Sequence, residues 1–213
     1  QEMNSPLRLS IGNCTVDVLP VVNGLLSEAD VVRANYPGHE AYGASMSIEG
    51  LDALAKRKEI GTDEVPVSEL DIVYAKKMSR FGEIQVPSPA FCELVDLCRS
   101  DGKTVIPLDM SDYDYDTAYM QCVRVTEFTS EHRLAKNGMK KAMDAPDPHA
   151  LAAMWDDHIS SIRGYSKLSH RREEHIAREI ADTANYRRSL LAVVETERAE
   201  GVVSLLRSDY GAK

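Results

Sequence analysis

The stretch Leu190 to Val194 reads L-L-A-V-V, and it stands between two segments of helical period. Before it, a helix predicted from about Ser169 to Tyr186 repeats Arg172, Ile176, Ile180 and Ala184 every four residues. After it, a last helix carries Val202, Val203 and Leu206. A short apolar run between two helices is a buried strand, and the same alternation recurs at the other end of the chain. There Leu7 to Ile11 reads L-R-L-S-I, a strict alternation that predicts a first strand. Strands alternating with helices predict an α/β fold with a mainly parallel sheet flanked by helices. A helical insertion over one edge is expected at about 111–165. No composition shift or linker marks a boundary, and the 213 residues suit one domain spanning 1–213.

The elements between are read from caps and breakers. Asp17 as a cap, with Pro20 in the first turn, predicts a helix to about Leu26. Asp30 to Ala34 is expected as a second strand, and Tyr36 to Ala44 as loop because of Pro37, Gly38 and Gly43. Ser47 opens a helix bearing Ile48, Leu51, Leu54 and Ala55, closed by Gly61. Leu70 to Ala75 is expected as a strand. Ser88-Pro89 starts a helix with Phe91, Leu94, Val95 and Cys98 on its apolar face, and Gly102 ends it. Thr104 to Leu108 is expected as a buried strand. Thr117 to Phe128 is predicted helical, and Gly138 and Pro146 flank a short helix. Asp147-Pro148 starts another helix, with Leu151, Trp155, Ile159 and Ile162 on one face.

Charge narrows the function classes. The net charge is −9 and no long basic run exists, a local cluster such as Arg171-Arg172 being too short, which argues against nucleic acid or an anionic membrane surface as partner. Cys14, Cys92, Cys98 and Cys122 form no C-x-x-C pair and read as free thiols in a reducing compartment. No apolar run is long enough to span a membrane, and no charged-then-apolar leader is present, so a cytoplasmic protein is expected.

Catalytic signatures are mostly absent. The chain has no H-E-x-x-H, G-x-S-x-G, Walker loop or G-x-G-x-x-G. The acidic run through Asp109, Asp112, Asp114 and Asp116 fails as an EF-hand loop, because Thr117 and Val123 fall where glycine and glutamate are required. A helix start rich in aspartate accounts for it. Cys14 is a nucleophile candidate only if a base stands beside it, and it otherwise reads as a buried small residue.

The C-terminal stretch S-H-R-R-E-E-H-I-A-R-E-I, followed by L-L-A-V-V-E-T-E-R-A-E-G-V-V-S-L-L, resembles the signature of the TraB/PrgY (Tiki/ChaN-like) family. In that family a helix runs into a buried strand and a Gly-x-Gly-His-x-x-Gly-Ile turn. Arg172 falls on the family's helix arginine, Ala177 and Ile180 on its small and apolar positions, and Val193 and Val194 on the strand. Gly201 and Val202 match the Gly-Ile, while Glu195 and Glu197 replace the two glycines and Arg198 replaces the histidine. Further along the family pattern, Gly12 is kept, Thr15 stands for a second histidine and Asn35 for a strand-end glutamate. Gly82-Glu83 resembles a Gly-Glu element, and Lys103 to Asp109 a strand ending in aspartate, with Met110 where arginine usually follows.

The resemblance implies a TraB/Tiki-like α/β fold, and metal-dependent peptide hydrolysis is the Tiki branch's activity. A catalytic metal needs about three ligands and an open position. Thr15 and Asn35 are poor ligands, and Arg198 is a permanent cation that repels a metal. The expectation is therefore a TraB-like protein without the family's metal or any cofactor, acting as a binding or regulatory module. Its pocket would be lined by Thr15, Asn35, Arg172, Arg198 and Glu195. A small anionic ligand or a protein partner, a second copy of the chain included, would bind there. Arg172 reads equally as a pocket residue or as a surface charge paired with Glu173 or Glu179, and Arg198 as an anion site or an internal salt bridge. The alternative is a metal-dependent, peptidase-like hydrolase with a rebuilt carboxylate site drawn from Cys14, Glu83, Asp109, Glu195 or Glu197.

Overall fold

A computed structural model describes residues 5–61 and 66–213. Its centre is a five-stranded sheet in the order β1-β2-β5-β3-β4, formed by β1 (Leu7–Ile11), β2 (Cys14–Val21), β3 (Ala41–Ala44), β4 (Ile106–Pro107) and β5 (Ser189–Glu195). β1 and β2 form an antiparallel hairpin about Gly12, whose φ of 55° suits the tight turn. The other pairings are parallel, with Thr15 opposite Ser189, Val21 opposite Glu195, and Ala44 opposite Val193. The last strand in sequence is thus the middle of the sheet. Its run L-L-A-V-V is buried on both faces, as central parallel strands are.

Alternation along β5 sorts the two layers. Leu190, Ala192 and Val194 pack with Ile176 and Ile180 of α8 (Arg163–Ala184) and Val202 and Leu206 of α9 (Thr196–Tyr210). Leu191 and Val193 pack on the opposite face with Val32 of α1 (Glu28–Asn35), Leu51 and Leu54 of α2 (Ile48–Ile60), and Phe91 and Leu94 of α4 (Pro89–Ser100). A third cluster stands at the carboxyl ends of the strands. There Val22 and Leu25 meet Val73 and Met78 of α3 (Glu69–Met78), Ala135 of α6 (Ser130–Lys140), and Leu151 and Trp155 of α7 (Pro148–Ser160). These three helices form a cap over one edge of the sheet. The helical stretch expected at 111–165 contains α5 (Asp112–Cys122), α6, α7 and the start of α8.

Several local expectations fail for identifiable reasons. Residues Asp17 to Val21 belong to β2 and not to a helix, because Asp17 is gripped from distant positions: Arg8 donates twice to its carboxylate and His39 lies 2.9 Å from Oδ2. Pro20 fits there because Thr15 sends its N–H toward β5, so by alternation the Pro20 nitrogen turns to the other side, past the last β1 pairing at Val18. Asp30 to Ala34 is helix α1, with Glu28 and Asp30 in its first turn. The expected loop over 36–44 contains β3, whose residues are all buried. Leu70 to Ala75 is helical: Ser68 and Asp71 form a reciprocal capping box at the start of α3. Only Ile106 and Pro107 of the expected 104–108 strand are paired, and Leu108 instead fills the space over Gly43, where a Cβ would lie 2.8 Å from Leu108 Cδ1. Gly138 lies inside α6 and is not a break; a Cβ there would meet the Trp155 ring at 2.6 Å.

Candidate functional site

β5 passes into α9 without a loop, so the first turn of α9 stands at the carboxyl edge of the sheet. Glu195 is the residue before α9, and its N–H donates to Ser45 Oγ just beyond β3. Arg172 reaches across from α8. Its Nε and Nη2 donate to Asp109 Oδ2 at 2.9 and 2.5 Å, and Nη2 also donates to Glu195 Oε2 at 3.1 Å. Asp109 is fixed from its other oxygen, which accepts from the Met110 N–H at 2.8 Å. One turn on, Arg198 is only 3% exposed; its Nη1 donates to Glu173 Oε1 at 2.8 Å and its Nη2 lies against Asp156 Oδ1 of α7. Each guanidinium therefore faces two carboxylates: Arg172 turns inward, and Arg198 forms internal salt bridges, with Asp156 and Glu173 and not with Glu83, Asp109 or Glu195.

Two further carboxyl groups belong to this edge. Glu28 is buried, and its Oε2 accepts from the Val22 N–H at 2.9 Å, which caps the turn after β2. Glu197 shows part of its chain to solvent, yet among the described residues its enclosed Oε2 has no hydrogen-bond partner, and neither has Arg198 Nη2, which meets Asp156 as an ion pair only. Five carboxyl groups (Asp109, Asp156, Glu173, Glu195, Glu197) thus stand around two guanidiniums, and Glu28 shares with Glu195 and Glu197 the field acting on Tyr74.

The titration of the cluster reflects that imbalance. Burial pushes the Glu197 carboxyl up to about 8, and the neighbouring charge of Glu195 adds to the rise. Burial also raises Glu28, Asp156 and Glu173, the last two in spite of Arg198. Tyr74 of α3 is raised by burial and then by Glu197, Glu195 and Glu28, which places its phenol in the same field. His149, whose Nδ1 lies 2.8 Å from Thr196 Oγ1, is lowered by burial. Burial thus disfavours the charged form of Glu28, Asp156, Glu173 and Glu197, a group of acids outside the carboxyl ends of parallel strands.

The structure divides the residues picked out from sequence into two groups. Arg172, Arg198, Glu195, Glu197 and Asp109 come together. Thr15 and Asn35 do not join them: Thr15 is an exposed residue at the start of β2, and Asn35 ends α1, its Nδ2 donating to Val31 O. Both lie toward the opposite edge of the sheet, because the hairpin makes the Gly12 turn a strand-to-strand turn. Cys14 is at that far edge too, and burial raises its thiol, with Glu40 adding, away from the thiolate a nucleophile needs. Glu83 is exposed on the segment before α4, where it accepts from Gln85 Nε2. Asp112 and Asp114 fill the first turn of α5 behind the Ser111 cap.

Sequence reasoning missed Glu28, Asp156, Glu173 and Tyr74 as members of the site. Glu173 adjoins Arg172 and had been noted only as a surface partner, while Glu28 and Asp156 carry no local signal. Among the described residues no three His, Cys, Asp or Glu side chains are disposed to hold a metal ion, and no helix is long and apolar enough to cross a membrane. No protein-family model, curated protein or solved structure matches this chain.

Proposed function

We propose that this chain is a binding or regulatory module, a divergent relative of the TraB-like proteins its C-terminal stretch resembles, which takes a small ligand at the carboxyl edge of the sheet beneath the α3–α6–α7 cap. The observation that carries the reading is the convergence of Arg172 with Asp109 and Glu195, and of Arg198 with Asp156 and Glu173, around the unpartnered Glu197. Paired arginines and carboxylates hold a crevice in one shape, and an enclosed polar atom without a partner is what a ligand would complete. The test is a fragment titration followed by backbone amide shifts. Small polar compounds that shift Val22, Ser45, Thr196 and Glu197 together support the module. Compounds that shift only residues elsewhere would remove its basis.

One observation favours a second reading, a hydrolase with a rebuilt carboxylate site. Glu197 holds its proton to about 8 while Glu195 is salt-bridged to Arg172 two residues away. Two carboxyl groups with unlike surroundings are the arrangement that general acid and base chemistry uses. Turnover of model esters or peptides, abolished in Glu197→Gln and unchanged by chelator, would establish it; no turnover on either class would end it.

A further inference from the structure

We propose that two copies of this chain pair through α5, the two helices packed antiparallel about a two-fold axis. α5 is apolar on two sides. On its inner side Ala118 and Cys122 pack with Met110, Val123 and Leu168. Tyr119 is held there as well, stacked on Phe128 with ring centres 5.7 Å apart and tilted against Tyr165 at 6.2 Å. The outer side faces solvent. Tyr113, Asp116, Thr117 and Met120 follow at i, i+3, i+4 and i+7, which is one stripe of a helix. Tyr113 and Met120 are 78% and 77% exposed, and Val125, just past the end of the helix, is 78% exposed. A single exposed apolar side chain is ordinary on a protein surface. Two on one stripe, with a third beyond its end, on a helix already packed from behind, mark a surface that something covers.

The charges along the stripe say what covers it. Its amino-terminal end carries Asp112, Asp114 and Asp116, whose carboxylates have no hydrogen bond or ion pair among the described residues. At its carboxyl-terminal end stand Arg124 and Arg171. Arg171 donates to the neutral Gln121 side chain and meets no carboxylate among the described residues. Glu127, whose charge acts on Arg124, is already taken up by the N–H groups of Arg124 and Gly164. Each end thus lacks the partner that the other end of a second copy supplies. Antiparallel packing brings Asp116 toward the partner's Arg124 twice over, and it also opposes the helix dipoles. Parallel packing would set aspartates against aspartates. The α3–α6 groove, about 340 Å³ and lined by Ile72, Met139, Lys136 and Lys140, is not self-complementary, because outside its Glu69–His132 pair its charges are both positive.

The two-fold operator makes the contact close on itself, so the assembly stops at two copies. A stripe about two turns long covers far less than the roughly 1,600 Å² of a standard interface, so the pair forms reversibly and dissociates on dilution. It requires no ligand at the sheet edge.

The experiment is sedimentation equilibrium of the full chain from about 10 μM to about 1 mM, on the parent, Met120→Glu, Asp116→Lys and Arg124→Glu, and on an equimolar mixture of the last two. All three side chains are exposed, and circular dichroism with urea midpoints confirms that each variant is folded. The expected result is a reversible dimer whose dissociation constant rises by about tenfold or more in Met120→Glu. Each charge reversal alone sets like charges face to face and weakens the dimer roughly threefold to tenfold, whereas in the mixture every facing pair is again of opposite sign and the affinity returns to within about twofold of the parent's. A dimer indifferent to Met120→Glu would overturn α5 as the contact. Charge reversals that weaken the dimer and are not rescued by mixing would overturn the antiparallel two-fold. Species that grow past the dimer and are lost in Lys136→Glu would seat α5 head to tail in the α3–α6 groove instead. A chain that stays monomeric throughout would overturn the self-pairing and leave the stripe to a different protein.

Discussion

Replacing Glu197 by glutamine should stabilise the fold, and by an amount that grows with pH. In the folded chain the carboxyl keeps its proton to about 8, whereas the ordinary value is 4.5. The folded state therefore binds more protons than the unfolded chain between those two values, and stability falls as pH rises through that window. At about 1.4 kcal/mol per pH unit the penalty is about 3 kcal/mol at neutrality, approaches an upper bound of about 5 kcal/mol by pH 8 and rises no further above that. Glutamine has nearly the same shape and no charge to desolvate, so the variant escapes the penalty. Glu28, Asp156 and Glu173 are raised by burial as well and steepen the same trend in both proteins. Urea unfolding of parent and Glu197→Gln across pH 5 to 9 measures the difference. The two stabilities should converge at the acid end and separate by about 2 kcal/mol or more at the basic end. A constant offset, or a variant less stable than the parent at high pH, would mean that Glu197 is an ionised and well-paired carboxylate, and the account of the crevice would be wrong.

Arg172→Ala leaves Asp109 and Glu195 uncompensated at the sheet edge and should lower stability by about 3 kcal/mol in urea unfolding, with Arg172→Lys recovering only part because it cannot reproduce the forked contact. Asp17→Asn should weaken the β1–β2 hairpin by about 2 kcal/mol at neutral pH and by little in strong acid. Arg8 holds the Asp17 carboxyl below its usual range, so its contribution is present above the unfolded value and lost as pH falls through the folded one; hydrogen exchange of the Leu9 and Ile11 amides reads it. Gly138→Ala should destabilise by about 1–3 kcal/mol although alanine is the better helix former, since its Cβ would meet the Trp155 ring at 2.6 Å; the fluorescence of Trp155, the single tryptophan, should shift with it.

The elements legible in the sequence are those specified within a few residues of themselves. Ser47 accepts from the Gly50 N–H, Asp147 from the Ala150 N–H, and the four-residue repeat from Arg172 to Ala184 lies along one side of α8, with Ile176, Ile180 and Ala184 in its core face. β2 misleads because Asp17 and Pro20 imitate a helix start, while the partners that hold them in a strand come from β1, from β5 and from His39. β3 has no apolar alternation to show; A-Y-G-A becomes a strand because β5 and β4 stand on either side of it. α3 is the opposite failure, since S-E-L-D carries a capping box in plain view and the apolar run after it was given more weight.

The same distinction governs the site. Arg172, Glu195, Glu197 and Arg198 come from one stretch around β5 and could be marked in advance, as could Asp109 at the end of the β4 segment. Thr15 follows from taking the first strand to end in the Gly12 turn, and Asn35 from reading Asp30 to Ala34 as a strand where the chain forms α1. The hairpin adds a strand before the parallel part of the sheet begins, so the residues at the functional edge after β2 are Val22 to Glu28. Glu28, Asp156 and Tyr74 arrive from three separate helices, and nothing within each segment announces that its acid or phenol will be enclosed.

Stability alone gives no reason to build such an edge. Buried arginine–carboxylate pairs repay their desolvation only in part, and apolar side chains of similar size often serve a fold as well. Two such pairs could still be explained as devices that fix α7 and α8 against the start of α9. Glu197 is less easily explained in that way, because among the described residues its Oε2 has no hydrogen-bond partner and its burial works against the fold at neutral pH. A group that costs stability and sits where parallel strands end is better accounted for by a role at that edge than by what it holds together. The two measurements on Glu197→Gln separate these accounts. A structural role predicts loss of stability and unchanged amide shifts with small polar compounds, whereas a ligand role predicts a gain of stability and the loss of those shifts.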